Sequence, residues 1–427
     1  MIILYLIFFL LIISNEVIKI INLNEIKCIN LIRIVYSFCY GLLPCVIYIN
    51  KSYMYNLDGN SFLFFLFSII GYLFLNIGYL CKSSKKIKIK KGHSIFMTAN
   101  VCLIIVAIMI LIWTKPYGGV IKALAYANSI RMGISRINNP YSFLLRFFSL
   151  SLFCSYLYFL ELLKKEKKYR YSKLILFLFS VIISIYTMLI NDSRIMIGFF
   201  LMTLMLINIF EKKKEGVPLK KILCRFIVYS FFILLIVMNA DYIYKIIKGV
   251  TFEVDSSSFI DTVSNEFTFI IEASKNSMNY IFNFNKLRIV DDICSVPFAV
   301  LPSSIIENPF VSVWDFNSSI TGGYGQSPTD IISTSLYELS FIGPIIVPFF
   351  YGMFIKVIDN ISRNKNEINY QDIIFIILVV YSAKFIIYFE YYNAIANLFF
   401  LFIGHIIFKL INSKKIKNRK KRGLYGI

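Results

Sequence analysis

The chain is a succession of apolar runs too long and too poor in charge for the core of a water-soluble protein. Spans fall at roughly 1–14, 29–49, 61–81, 95–113, 143–160, 174–190, 195–210, 222–240, 331–355, 372–389 and 392–411. Most hold about 17–25 apolar residues, the length a helix needs to cross a bilayer. Composition agrees: 58% of residues are hydrophobic, against about 45–50% in soluble domains. The expected fold class is an all-α polytopic membrane protein with about eleven (ten to twelve) transmembrane helices. The first run is short and resembles an uncleaved signal-like segment. The last two form a tight hairpin through FEYYN (389–393).

Loop charge sets the expected orientation. KSSKKIKIKK (82–91) has six lysines and no acid, and SKKIKNRKKR (413–422) has seven basic residues and no acid. Segments 161–173 and 211–221 are also predominantly basic. All four fall on one side if eleven spans alternate. The positive-inside rule makes that side cytoplasmic, and the C-terminus with it. The net charge of +21 is then topogenic and matched to anionic lipid, not to nucleic acid. Three segments follow: helices 1–8 in 1–240, a large outer loop 241–330, and the last helices and basic tail in 331–427.

Two outer loops carry chemistry. Loop 114–142 has Lys115, Lys122, Arg131 and Arg136 and no acid, the reverse of the usual bias. It reads either as a surface helix on headgroup phosphates or as an anion-binding loop. Loop 241–330 has five basic residues and eleven acids. Its amphipathic stretch 267–282 and its aromatic content suggest a small helical lid over the membrane helices.

The loop ends in SITGGYGQSPTDIISTSLYELSFIGP (319–344). Gly322, Gly323 and Gly325 permit a sharp turn close to a ligand. Ser327 then reads as an N-cap, Pro328 as N1 and Asp330 as N3 of a helix whose free N–H groups face the outer side, an arrangement that favours anions. Asp330, Thr334 and Glu338 recur every four residues and share a face. Glu338 lies about 12 Å deeper than Asp330. Lys384 is the opposite charge in span 372–389, and a Glu338–Lys384 pair holding helices together is one expectation. Arg194, in the short NDSR turn between two spans, is either a headgroup anchor or a guanidinium fork for phosphate.

Several classes are disfavoured. The eight cysteines include no C-x-x-C pair, so no disulfide framework or zinc site is expected. There is no G-x-x-x-x-G-K-[ST] loop. No internal repeat points to a transporter built from two halves. His93 and His405 both fall toward the cytoplasmic side.

The pattern of Ser193-Arg194 opening a membrane helix, a large outer loop, a Gly-rich Ser-Pro turn and a helix carrying an acid and an FIG step (SPTDIISTSLYELSFIG) resembles bacterial oligosaccharide repeat-unit polymerases of the Wzy type. These belong to O-antigen and capsule assembly. The layout covers nearly the whole chain and the motifs about forty residues. The resemblance implies a GT-C-like fold and a metal-independent membrane glycosyltransferase without cofactor. Its partners would be undecaprenyl-pyrophosphate-linked oligosaccharides at the outer face of the bacterial cytoplasmic membrane, with a chain-length regulator and a flippase alongside. The growing chain would pass from its lipid to the non-reducing end of a new unit.

In that reading Arg194 stabilises the pyrophosphate leaving group, with Arg131 or Arg136 as second cation. Gly323, Tyr324, Gly325, Gln326 and Ser327 contribute backbone N–H groups and sugar contacts, and Lys384 lines the site. A carboxylate, Glu338 or Asp330, is the base, if one is used. Tyr117, Tyr324, Tyr391 and Tyr392 are stacking platforms or part of an aromatic belt. The outer loop has no histidine, which favours polymerase over the sibling O-antigen ligases. A lipid-linked oligosaccharide flippase is the chief non-enzyme alternative, and the ninety-residue outer loop argues against it. A membrane acyltransferase and a channel fit less well.

Overall fold

A backbone surrounded by lipid must bond to itself, and helices do this locally. The computed structural model describes residues 1–23, 26–51, 58–81, 94–131, 137–164, 169–191, 194–238, 259–283, 287–299, 308–321, 327–361 and 367–424, and every regular element among them is helical. In chain order these are α1 (Ile2–Leu23), α2 (Cys28–Ser37), a π-turn (Phe38–Leu42), α3 (Leu43–Asn50), α4 (Gly59–Leu80), α5 (Ile95–Thr114), α6 (Val120–Ala125), α7 (Ala127–Arg131), α8 (Leu150–Leu163), α9 (Arg170–Ile190), α10 (Arg194–Lys214) and α11 (Leu219–Met238). There follow α12 (Phe259–Asn283), α13 (Ile289–Ser295), α14 (Val313–Thr321), α15 (Ile331–Leu339), α16 (Gly343–Asp359), α17 (Tyr370–Ile387) and α18 (Tyr391–Leu424). Short 3-10 turns lie at Lys115–Tyr117, Ser142–Phe147, Val296–Ala299 and Ser340–Ile342.

Ten spans among the described residues are long and apolar enough to cross a membrane. One expectation needs correction. The first span is not short but runs Ile2–Asn22. Glu16 looks like a helix end in sequence, yet it is fully buried, 3.0 Å from both Arg33 and Lys19 and 2.7 Å from the Asn30 amide. A charge with three partners need not end a span. The expected span 222–240 falls on α11, a 20-residue helix that contains the apolar stretch Cys224–Ile233. Lys220, Lys221 and Arg225 occupy its first turns.

The chain divides into two compact units. The first comprises Met1–Ile87, Phe252–Ile361 and Leu378–Ile395; the second comprises Lys88–Thr251, Ser362–Ile377 and Ala396–Ile427.

In the first unit α4 and α16 pack at backbone contact. A Cβ on Gly78 would lie 1.9 Å from the Phe349 carbonyl oxygen, and one on Gly352 would lie 2.0 Å from that of Leu75. Small residues of this kind let helices associate where no hydrophobic effect drives them together. Asp359, at the end of α16, accepts from the Cys28 and Ile29 amides and so supplies the N-terminus of α2 with its acceptors.

The loop helix α12 buries Ile270, Ser274, Ser277, Met278 and Ile281, spaced as one helical face. Asn50, at the end of α3, donates to Asp261 and Ser264 of the same helix. The expected amphipathic stretch 267–282 thus lies within one 25-residue helix.

The span Ile331–Asp359 is a broken helix. α15 ends at Leu339, and Ser340 takes φ 55°, ψ −143° before α16 begins at Gly343-Pro344. A non-glycine residue at positive φ costs on the order of 1–3 kcal/mol. Packing maintains the break: a Cβ on Gly343 would lie 1.8 Å from the Ser335 carbonyl oxygen.

In the second unit α8 and α9 meet along hydroxyls. Ser151 contacts Thr187 at 3.2 Å, and Ser155 contacts Ser180 and Ser184 at 3.0 Å. Small polar side chains satisfy one another there and allow close approach. At one end of these helices Glu161 pairs with Lys173 at 3.1 Å. Tyr370 stacks on Phe408 and meets His405 Nδ1 at 3.1 Å. None of the eight cysteines forms a disulfide.

Candidate functional site

Apart from Glu16, the first unit has a group of buried charges on and near α15, and Asp330 starts that helix. It is the N-cap itself, not the N3 residue, and neither Ser327 as N-cap nor Pro328 as N1 holds. Asp330 Oδ1 accepts from the Ile332 and Ser333 amides at 2.9 and 3.0 Å and from the Tyr40 hydroxyl, while Oδ2 accepts from the Ser333 hydroxyl. Tyr40 sits on the π-turn, a device that redirects side chains within a helix. It also accepts from the Ile332 amide at 3.1 Å. Burial pushes the Asp330 carboxyl up, and the bonds from Ser333 and Tyr40 offset this. Asp330 is fully buried, and both of its oxygens are engaged in building the helix start.

Ser327 is drawn elsewhere. The Asn317 amide donates to its Oγ at 3.1 Å, and its own N–H donates to the Trp314 carbonyl at 3.3 Å. Asn317 Oδ1 in turn accepts from Tyr337 at 2.9 Å and Asn276 at 3.0 Å. The turn between α17 and α18 is tied to the same place. The Phe389 carbonyl accepts from Thr334 Oγ1 at 3.0 Å and Trp314 Nε1 at 3.2 Å, and the Phe389 amide donates to the Thr329 carbonyl at 2.8 Å.

Beside this frame lies a group of buried charges. Glu338, in the last turn of α15 just before the break, is fully buried. Its Oε2 accepts from the Tyr391 hydroxyl at 3.2 Å, and its Oε1 has no hydrogen-bond partner. The expected Glu338–Lys384 ion pair is not formed: among the described residues Glu338 pairs with the Tyr391 hydroxyl. Lys384 is buried on α17 with its ammonium 6.0 Å from the Tyr381 ring centre.

Asp292, on α13, is 2% exposed, and neither of its oxygens makes a hydrogen bond. Arg288 Nη2 lies 3.7 Å from Asp292 Oδ1, close enough for an ion pair and too far for a hydrogen bond. That guanidinium donates to the Val311 carbonyl at 2.6 Å and lies 4.1 Å over the Phe316 ring, while its Nε is unpartnered. Desolvation pushes the Asp292 carboxyl up to about 7 against the opposing pull of Arg288. Glu390 is 2% exposed and likewise pushed up to about 7 by desolvation, although the Trp314 amide at 3.3 Å and the Asn393 amide donate to it. Glu338 and Glu390 both lie in the electrostatic field of Asp292.

Tyr280, Phe316 and Tyr337 form an aromatic wall with ring centres 5.3–5.7 Å apart. Buried polar atoms without partners cost about 1–3 kcal/mol each, and four collect here on Arg288, Asp292 and Glu338. Among the described residues no group of three or more His, Cys, Asp or Glu is placed to hold a metal ion.

The remaining expected site residues divide as follows. Arg194 is the first residue of α10 and Arg131 the last of α7, both in the second unit, with side chains outside the described residues. Arg136, Gly323, Tyr324, Gly325 and Gln326 lie outside the described residues. Glu338, Asp330, Ser327 and Lys384 all belong to the first unit. Arg288, Asp292 and Glu390 were not singled out from sequence. The available signals were the four-residue spacing of Arg288 and Asp292 in LRIVDD and the lone acid of the FEYYN turn.

Comparison of the chain with family models, with curated proteins and with solved structures finds no match. The class that the helices define is a multi-pass α-helical membrane protein.

Proposed function

We propose that the chain polymerises lipid-pyrophosphate-linked oligosaccharide repeat units at the outer face of a bacterial cytoplasmic membrane, as a Wzy-type glycosyltransferase with a GT-C-like fold. The observation that carries this reading is the buried Glu338 with a free acceptor oxygen, held by Tyr391 beside Arg288 and Asp292, where the span after the outer loop breaks. A carboxylate so placed suits removal of a proton from an attacking sugar hydroxyl, and the aromatic wall of Tyr280, Phe316 and Tyr337 suits the C–H faces of sugars. In this mechanism Asp330 positions α15 and Glu338 takes the proton. From the sequence alone, Arg194, with Arg131 or Arg136, remains the candidate for the charge that develops on the pyrophosphate.

One observation favours a second reading. Interrupted membrane helices recur at the substrate sites of transporters, so the broken span Ile331–Asp359 also suits a lipid-linked oligosaccharide flippase.

The experiment is replacement of Arg194 by alanine and by lysine in the native host deleted for this gene, with the surface glycan resolved on a gel. Arg194→Ala is expected to collapse the ladder to single repeats, a loss on the order of 10²- to 10³-fold, at normal membrane level. Arg194→Lys is expected to restore it only in part, because a point charge lacks the bidentate fork. An unchanged ladder in both variants makes Arg194 a headgroup anchor.

A further inference from the structure

We propose that the outward face of α13, together with Phe282 at the end of α12, is seated in the lipid at the boundary of the membrane. This part of the loop is then an interfacial helix and not a lid in water. Its partner is the acyl-chain region of the bilayer.

α13 is turned inside out. Leu287, Val290 and Ile293 recur every three residues and are 51–65% exposed, whereas Arg288 and Asp292 are 5% and 2% exposed. At 3.6 residues per turn, Arg288 and Asp292 each point about 160° away from Val290, to the far side of the helix. There Arg288 lies over the Phe316 ring and donates to the Val311 carbonyl. Asp291, about 100° round from Val290, is half-buried at the edge of the apolar face. A helix on a water surface turns its charges out and its apolar residues in. The reverse order suits a helix whose outer side meets lipid.

The second observation is continuity with a membrane span. α13 packs on α15, the first part of the broken span Ile331–Asp359. Phe282 is exposed, and its ring centre lies 6.0 Å from that of Phe341 in the break. Phe341 in turn lies 5.9 Å from Phe67 on α4. Phe67 is about 12 Å along α4 from its start at Gly59, at 1.5 Å per residue, in a span whose length is close to that of the hydrocarbon. The break, with Phe282 against it, is therefore at the depth of a spanning helix. Phe341 and Ile342 are exposed there, so the apolar face of the loop runs on into the lipid-facing surface of the span. The proposal goes beyond the polymerase reading and does not use it.

The test is tryptophan fluorescence of the full chain reconstituted in phosphatidylcholine vesicles. Val290→Trp and Ile293→Trp are each read against the unmodified chain, which accounts for the native Trp113 and Trp314. Two quenchers are used: phosphatidylcholine brominated in its acyl chains, and acrylamide in the water. Leu73→Trp, at an exposed position within the span Gly59–Leu80, is the lipid reference. Expected is a loss of the added emission in brominated vesicles comparable to that of Leu73→Trp, with little loss to acrylamide. Quenching by acrylamide and not by brominated lipid places the face in water and overturns the proposal. Quenching by neither places another protein surface over it, a second copy included, and overturns it equally. Two positions about one turn apart keep the test decisive if one variant does not fold. No substrate or glycan is involved, so failure here is distinct from failure of the polymerase reading.

Discussion

Glu338→Gln is expected to reduce polymer formation by roughly 10²- to 10⁴-fold, the range that proton transfer by a positioned side chain contributes, while the protein stays at its normal membrane level. The amide fills the same volume and can still accept from Tyr391, whose hydroxyl lies 3.2 Å from Oε2. It cannot take a proton at neutral pH. A fully buried carboxyl with one unpartnered oxygen is replaced by a neutral amide, so stability is expected to hold or rise. The measurement is ladder length and amount in the deletion host, beside membrane-fraction immunoblots. A normal ladder with Glu338→Gln removes Glu338 from the chemistry and leaves it a structural residue at the helix break.

The largest stability effect is expected at the α4–α16 contact. Gly78→Ala and Gly352→Ala each place a methyl within about 2 Å of a backbone oxygen of the other helix. A carbonyl cannot swing aside as a side-chain tip can, so the helices must separate along their length. Overpacking of this kind costs about 1–3 kcal/mol and at times more, and a pair held by close approach has little else to offset it. The thermal midpoint of the detergent-solubilised protein should fall clearly for both. Gly59→Ala is the control: it sits on the same helix with nothing within 4 Å of the added atom, and alanine is the better helix former. Equal midpoints for all three would show that α4 and α16 do not meet as described.

The spans were legible because lipid imposes one rule on every one of them, and an apolar run of the right length meets it in only one way. The first span was misread at Glu16 because its partners, Asn30 and Arg33, come from the next helix. The start of α15 was misread because S-P-T-D offers two good caps three residues apart. The choice between them is tertiary: Asn317 takes Ser327, and Tyr40 takes Asp330.

The break at Ser340 was hidden because serine does not announce a positive φ, although Gly343-Pro344 three residues on marks a new helix start. Glu338 was identified by its depth. Arg288 and Asp292 were lost among the charges of a loop with eleven acids, where no periodicity separates a buried carboxylate from a solvated one. Glu390 lay in a hairpin read only as a turn. What local pattern could not supply was burial, and burial is what makes these three residues a cluster.

The most direct test of the proposed function is the surface glycan of the strain deleted for this gene, run beside the same strain complemented with the full chain. The account predicts glycan capped at single repeat units in the deletion and a full ladder on complementation. A deletion strain with no surface glycan at all, not even one repeat, would contradict a polymerase and make the flippase the better account.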